Sequence, residues 1–152
     1  MLKKLKTNPF ALILWIMISC LIHIVLFRAK VNPVDQIWQR ILTTILAFSI
    51  TLLMHECLHF VFMKVFCKGK VRIVVAKGPL GFPTLGTVAQ AEFQPWQTVL
   101  IYLAPFVFLT LLVDFILMFC ASIELFFFLV SICNCAGCFY DLVDALIAAK
   151  KK

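Results

Sequence analysis

The sequence predicts an all-α membrane protein: four transmembrane helices with a short cytosolic β-hairpin between the second and the third. Three observations predict it. The chain of 152 residues is 64% hydrophobic and only 14% charged, with a mean hydropathy of +1.07. A soluble domain of this size would lack the polar residues to cover its surface. The apolar residues fall in four runs, at about 9–27, 41–66, 97–119 and 123–149, each close to the roughly 20 residues that cross a hydrocarbon core about 30 Å thick. Lysine and arginine gather in alternate segments between the runs, the bias that orients multi-pass proteins. One integral membrane domain over 1–152 follows.

The first run, 9–27, is broken only by Ser19, Cys20 and His23. Lys3, Lys4 and Lys6 precede it as in a signal peptide. No small-x-small cleavage site follows and the run is long, so it reads as a retained helix. The second run, 41–66, carries His55-Glu56-Cys57-Leu58-His59 at its centre. The connection 67–96 holds a β-branched stretch at 71–75, turn chemistry with two Gly and two Pro at 77–83, and a stretch of strand character at 84–93, which together predict a two-stranded hairpin. An isolated hairpin is marginal in water, so this one must pack on the membrane domain or lie at the interface. The third run contains Pro105 and Asp114; the fourth contains Glu124, Asn134, Asp141 and Asp144.

Basic residues orient these runs. The amino-terminal tail, the segment from Lys64 to Lys77 and the final Lys150, Lys151 and Lys152 fall on one side if all four runs cross, which places both termini in the cytosol. The net charge of +7 then serves contact with an anionic inner leaflet of the lipid bilayer. Nucleic acid is not an expected partner, because there is no basic patch interleaved with aromatics and almost no soluble surface to hold one.

Seven cysteines stand at 20, 57, 67, 120, 133, 135 and 138. The cluster 133–138 lies in an apolar helix, where Cys133 and Cys135 sit about 200° apart and cannot converge with Cys138 on one ion. They read as small hydrophobes, and no disulfide framework is implied.

Ionisable groups at the centre of an apolar span cost about 2.5–3.5 kcal/mol each and persist only with partners or a function. A lone intramembrane histidine is commonly just hydrogen-bonded to a neighbour. Here His55 and His59 are four residues apart, so on a helix they project from one face, one turn apart, the spacing that lets two imidazoles hold one zinc ion. Glu56, beside them, has the position of a general base. A catalytic zinc needs a third protein ligand, and the candidates are His23, Asp114, Asp141 and Asp144. His59 lies about 10 Å and His55 about 16 Å from the inner end of their span, and Asp141 lies about 12 Å from the inner end of a parallel span. Depth therefore favours Asp141, with Asp144, one turn nearer the cytosol, as the alternative ligand. His23 and Asp114 both lie about 7 Å from the outer ends of their spans, too far out for this ion and well placed to pair with each other.

These residues carry a resemblance. His55-Glu56-Cys57-Leu58-His59 in the second span, the Gly/Pro-containing loop after it, Ala104-Pro105 in the third span and Asn134-Cys-Ala-Gly137-Cys-Phe-Tyr-Asp141 in the fourth resemble the putative zincin peptidases, small multi-pass membrane proteins of bacteria. More distantly they are similar to site-2 proteases, zinc enzymes of intramembrane proteolysis. The resemblance covers roughly 40–145. It implies residence in a bacterial plasma membrane, a Zn2+ cofactor, and a possible substrate contact by Asn134. The aspartate-glycine pair of site-2 proteases is absent, since Leu142 follows Asp141 and Ala145 follows Asp144.

The function expected from these residues is a membrane-embedded zinc metalloprotease. Zinc on His55, His59 and Asp141 activates water, Glu56 accepts its proton, and the peptide bond of a membrane-protein or peptide substrate is cleaved near the cytosolic side. The hairpin offers an edge on which an extended substrate could pair. The alternative is a non-catalytic zinc-binding or zinc-transporting membrane protein.

Overall fold

A computed structural model of the chain describes residues 8–32, 34, 36–77 and 83–150. The basic residues Lys3, Lys4, Lys6, Lys151 and Lys152 and the tip of the expected turn, 78–82, lie outside the described residues.

Helix α1 spans Pro9–Phe27, opened by the Asn8 side chain accepting from the Phe10 amide and by Pro9 at the first helical position, where a missing N–H costs nothing. Helix α2 spans Ile37–Phe66, four residues earlier than the apolar run suggests, because Ile37 to Arg40 add a first turn in which Gln39 and Arg40 interrupt the apolar pattern. Strands β1 (Val71–Lys77) and β2 (Pro83–Ala89) pair antiparallel with Val71 opposite Ala89 and Ile73 opposite Thr87, the expected hairpin with a shorter second strand. Helix α3 (Pro95–Pro105) runs through a π-helical turn, Phe106–Leu111, into α4 (Leu112–Phe119). Helices α5 (Leu125–Gly137) and α6 (Phe139–Ala149) follow.

Three helical stretches, Pro9–Lys30, Ile37–Phe66 and Pro95–Phe119, are long and apolar enough to cross a membrane. The fourth expected span is bent: α5 and α6 meet at 46° and qualify only as a broken pair. The helical hydrogen bonds continue across the break, from the Cys138 amide to the Asn134 carbonyl at 2.9 Å and from the Leu142 amide to the Cys138 carbonyl at 2.9 Å. The bend follows Gly137, a residue of weak helix propensity at which helices commonly kink.

Burial is distributed as a lipid solvent would dictate. In α1 the buried residues are Ser19, His23 and Phe27, while Leu21, Ile22 and Val25 on the other faces are exposed. Among the described residues the buried polar set also includes Thr51, Glu56, His59, Thr110, Ser131 and Asn134. In a hydrocarbon solvent apolar side chains gain nothing by turning inward, whereas polar ones must find each other. Helix α2 packs on α3 and α5, α3 on α6, α1 on α5, and both strands lie against α2. At one end Phe27, Leu117 and Ile123 form a small apolar core. There the segment after α1 pairs with the one before α5: the Asn32 amide donates to the Ile123 carbonyl and the Ile123 amide to the Lys30 carbonyl, both at 2.8 Å. The hairpin enters at the opposite end of α2, where Phe66 stacks edge-on against Trp96 at 5.3 Å.

Helix α1 is fastened to α5 by polar contacts one helical turn apart. Trp15 Nε1 donates to the Cys135 carbonyl at 2.8 Å, and the Cys135 thiol lies 3.4 Å from Ser19 Oγ. His23 Nδ1 lies 2.8 Å from the Ser19 carbonyl, which can only accept, and its Nε2 lies 3.0 Å from Ser131 Oγ and 3.3 Å from Asp114 Oδ2. The expected pairing of His23 with Asp114 is therefore present. The Ser131 hydroxyl donates to Asp114 Oδ1 at 2.5 Å, which leaves Asp114 Oδ2 facing His23 Nε2. Removing one member of a buried pair strands the other, at a cost of about 3 kcal/mol or more. His23→Leu alone is expected to lower the thermal unfolding midpoint in detergent by several degrees, and His23→Leu with Asp114→Leu to recover most of that loss.

Candidate metal centre

The two histidines of α2 lie on one helical face, with ring centroids 4.8 Å apart and planes at 79°. Their Nε2 atoms are 3.2 Å apart. Asp141 stands in the first turn of α6, just past the bend, and its Oδ2 lies 2.9 Å from His55 Nε2 and 3.5 Å from His59 Nε2. Among the described residues, His55, His59 and Asp141 form the one group of three whose donor atoms all fall within 4.8 Å of one another. Asp141 rather than Asp144 is thus the aspartate gathered with the pair, and His23 and Asp114 sit in their own cluster.

The other ring nitrogens decide what this convergence means. His59 Nδ1 lies 2.9 Å from the Ile101 carbonyl. His55 Nδ1 lies 2.9 Å from Asn134 Oδ1, and the orientation of that amide is fixed because Asn134 Nδ2 donates to the Pro105 carbonyl at 2.8 Å and meets Thr110 Oγ1 at 2.9 Å. Both Nδ1 atoms therefore face acceptors and carry hydrogens. In the neutral rings both Nε2 lone pairs then point at each other and at a carboxylate oxygen. Three such atoms at this separation could hold one metal ion between them. A tetrahedral zinc with bonds of about 2.0–2.1 Å holds its ligands about 3.3 Å apart, and the observed edges of 2.9, 3.2 and 3.5 Å bracket that value. The donor set fits zinc. It is the neutral-imidazole and carboxylate chemistry that zinc prefers, with each imidazole braced through its second nitrogen.

A proline supplies one brace. In a regular helix the Ile101 carbonyl would accept from the amide of residue 105. That residue is Pro105, which has no N–H, so the carbonyl is left free for His59. Tyr102, one residue on, sets its ring edge-on to His59 at 5.9 Å. The next carbonyl in the scheme, that of Pro105, is taken by Asn134 at the mouth of the π-helical turn. Sequence reasoning noted Pro105 but not the acceptor it releases four residues earlier; the spacing of proline and free carbonyl was the available signal.

Asn134, expected as a substrate contact, has its oxygen on His55 and its amide nitrogen on Pro105 and Thr110. Glu56 is buried, 7% exposed, and its Oε2 accepts from Thr87 Oγ1 of β2 at 2.8 Å. Thr87 gave no signal in the sequence. A cavity of about 320 Å³ lies over the group, lined by His55, Glu56, Asp141, Asn134 and Tyr140, by Phe48, Thr51 and Leu52 of α2, and by Leu85 of β2. Cys133 and Gly137 complete its wall. Cys135 and Cys138 are buried thiols, Cys135 against Ser19 of α1 and Cys138 beside Asn134.

A family model described as putative zincin peptidase matches residues 48–152, a stretch holding all of these residues but not α1. Comparison with curated proteins and with solved structures gives no match.

Loss of the bracing should weaken metal binding without touching a ligand. Asn134→Ala is expected to reduce zinc affinity by about 10- to 100-fold, measured by competition with a chromogenic chelator. Pro105→Ala returns an amide to the Ile101 carbonyl and is expected to weaken zinc in the same assay by about 10-fold.

Proposed function

The chain belongs to the putative zincin peptidase family, and on that premise we propose that it is a membrane-embedded zinc metallopeptidase that hydrolyses peptide bonds of membrane proteins at the cytosolic side. One observation carries the reading: two imidazole nitrogens and a carboxylate oxygen converge at 2.9–3.5 Å in the cavity that Glu56 also lines.

In this reading His55, His59 and Asp141 hold the ion. Zinc there supplies a Lewis acid and acidifies water at neutral pH. Asn134 and the Ile101 carbonyl keep the imidazoles in the binding tautomer. Glu56 takes a proton from the attacking water as its oxygen bonds to the scissile carbonyl carbon, then passes it to the amine nitrogen as the carbon–nitrogen bond breaks. Asn134 is better assigned to orienting His55 than to touching substrate, since its polar atoms are already engaged. A cavity of about 320 Å³ has room for a few side chains and not for a helix 10–12 Å across, so the substrate enters as an extended segment.

Glu56→Gln is expected to keep about one zinc per chain while cleavage of a reconstituted membrane-protein substrate falls by about 10²- to 10⁴-fold; wild-type cleavage by that variant would refute the mechanism. Asp141→Ala should lose the zinc itself, read by elemental analysis. A zinc chelator should abolish cleavage, and added zinc should restore it.

A further inference from the structure

The hairpin touches the chemistry at one atom. Alternation along β2 places Leu85 and Thr87 on one face of the strand, and both are partly buried against α2. Leu85 lines the cavity. Thr87 Oγ1 lies 2.8 Å from Glu56 Oε2 and 3.2 Å from the Glu56 carbonyl. The single hydroxyl hydrogen has two acceptors within reach, both belonging to Glu56, and the shorter contact is to the carboxylate. A bond from a neutral donor to a buried carboxylate is among the stronger hydrogen bonds, and the glutamate side chain, with three rotatable bonds, needs such a tether to hold one direction.

Two polar side chains at this end of the site are committed elsewhere. Asn134 braces His55 and Asp141 faces the imidazoles. Among the bonds resolved for the described residues, the Thr87 hydroxyl is the side-chain donor to the Glu56 carboxylate. The bond joins the glutamate next to the first ligand to a strand that is separate from the helices.

From this geometry we propose that Thr87 is a positioning residue: its hydroxyl fixes the Glu56 carboxylate beside the His55–His59–Asp141 group, so that the hairpin is a structural part of the active site. The proposal rests on the metallopeptidase reading. It implies that a displacement of β2 relative to α2 changes the rate of the chemical step without changing metal occupancy.

A double-mutant cycle and a kinetic comparison test it separately. In detergent, Thr87→Val is expected to lower the unfolding midpoint by about 3 °C in the wild-type background and by less than about 1 °C in a Glu56→Ala background. Equal losses in both backgrounds would show that the two side chains are not coupled and overturn the proposal. On a reconstituted single-span membrane protein that wild type cleaves, Thr87→Val should lower kcat about 10-fold with KM and zinc content unchanged, and Thr87→Ser, which keeps the hydroxyl, should restore the rate. Unaltered kcat in Thr87→Val overturns the positioning role. So does a loss that Thr87→Ser fails to restore, because a structural requirement for the methyl group would then explain it. If wild type cleaves none of a panel of such proteins while the coupling is present, the metallopeptidase reading fails and takes the catalytic role of Thr87 with it; the contact itself stands.

Discussion

The arrangement depends on where two imidazole hydrogens go. Because His55 gives its Nδ1 hydrogen to Asn134 and His59 gives its own to Ile101, the two Nε2 atoms face each other and Asp141. A helix with two histidines one turn apart does not dictate this, since either nitrogen of either ring could have turned inward. The acceptors dictate it, and they come from two other helices. Helix α3 supplies a carbonyl released by Pro105. Helix α5 supplies an amide that is itself locked by the Pro105 carbonyl and Thr110. The proline and the π-helical turn after it, which would weaken a soluble helix, here provide acceptors where none is otherwise free.

The same logic extends through the membrane region. With an apolar solvent outside, the inward face of each helix is marked by its polar residues. They gather in two clusters, one around His23, Asp114 and Ser131 and the other around the candidate metal centre. Helix α5 serves both, with Ser131 in the first and Asn134 in the second. Helix α1, outside the stretch matched by the family, is attached through the first cluster, so the polar bonds that anchor it also bear on the helix that braces His55. Gly137 and the bend after it let α6 leave α5 at 46°, which sets Asp141 on the histidines from the first turn of a new helix.

Much of this was legible in the chain. His55, Glu56 and His59 declare themselves by spacing within an apolar run. Asp141 is selected over Asp144 by depth, even though the straight fourth helix assumed in that estimate is bent; the break follows three residues after Asn134 and leaves Asp141 only one turn further on, so the error in depth is small. The hairpin follows from a β-branched stretch and a second stretch of strand character around glycine and proline, and His23 pairs with Asp114 as their common depth suggests. The illegible parts share a cause. The Ile101 and Pro105 acceptors are main-chain atoms, identical in every residue, and Thr87 is an ordinary strand threonine until the hairpin folds back over α2.

The sequence by itself determined that the chain is mostly helical, with stretches long and apolar enough to cross a membrane and a two-histidine, one-glutamate motif inside one of them, because composition and the periods of helix and strand are local properties. Only the tertiary structure decided which nitrogen of each ring faces inward, which carboxylate joins them, and that a strand residue meets Glu56. Those outcomes depend on partners 31 to 86 residues away in the chain, and such pairings are fixed by packing in three dimensions rather than by any periodicity along the chain.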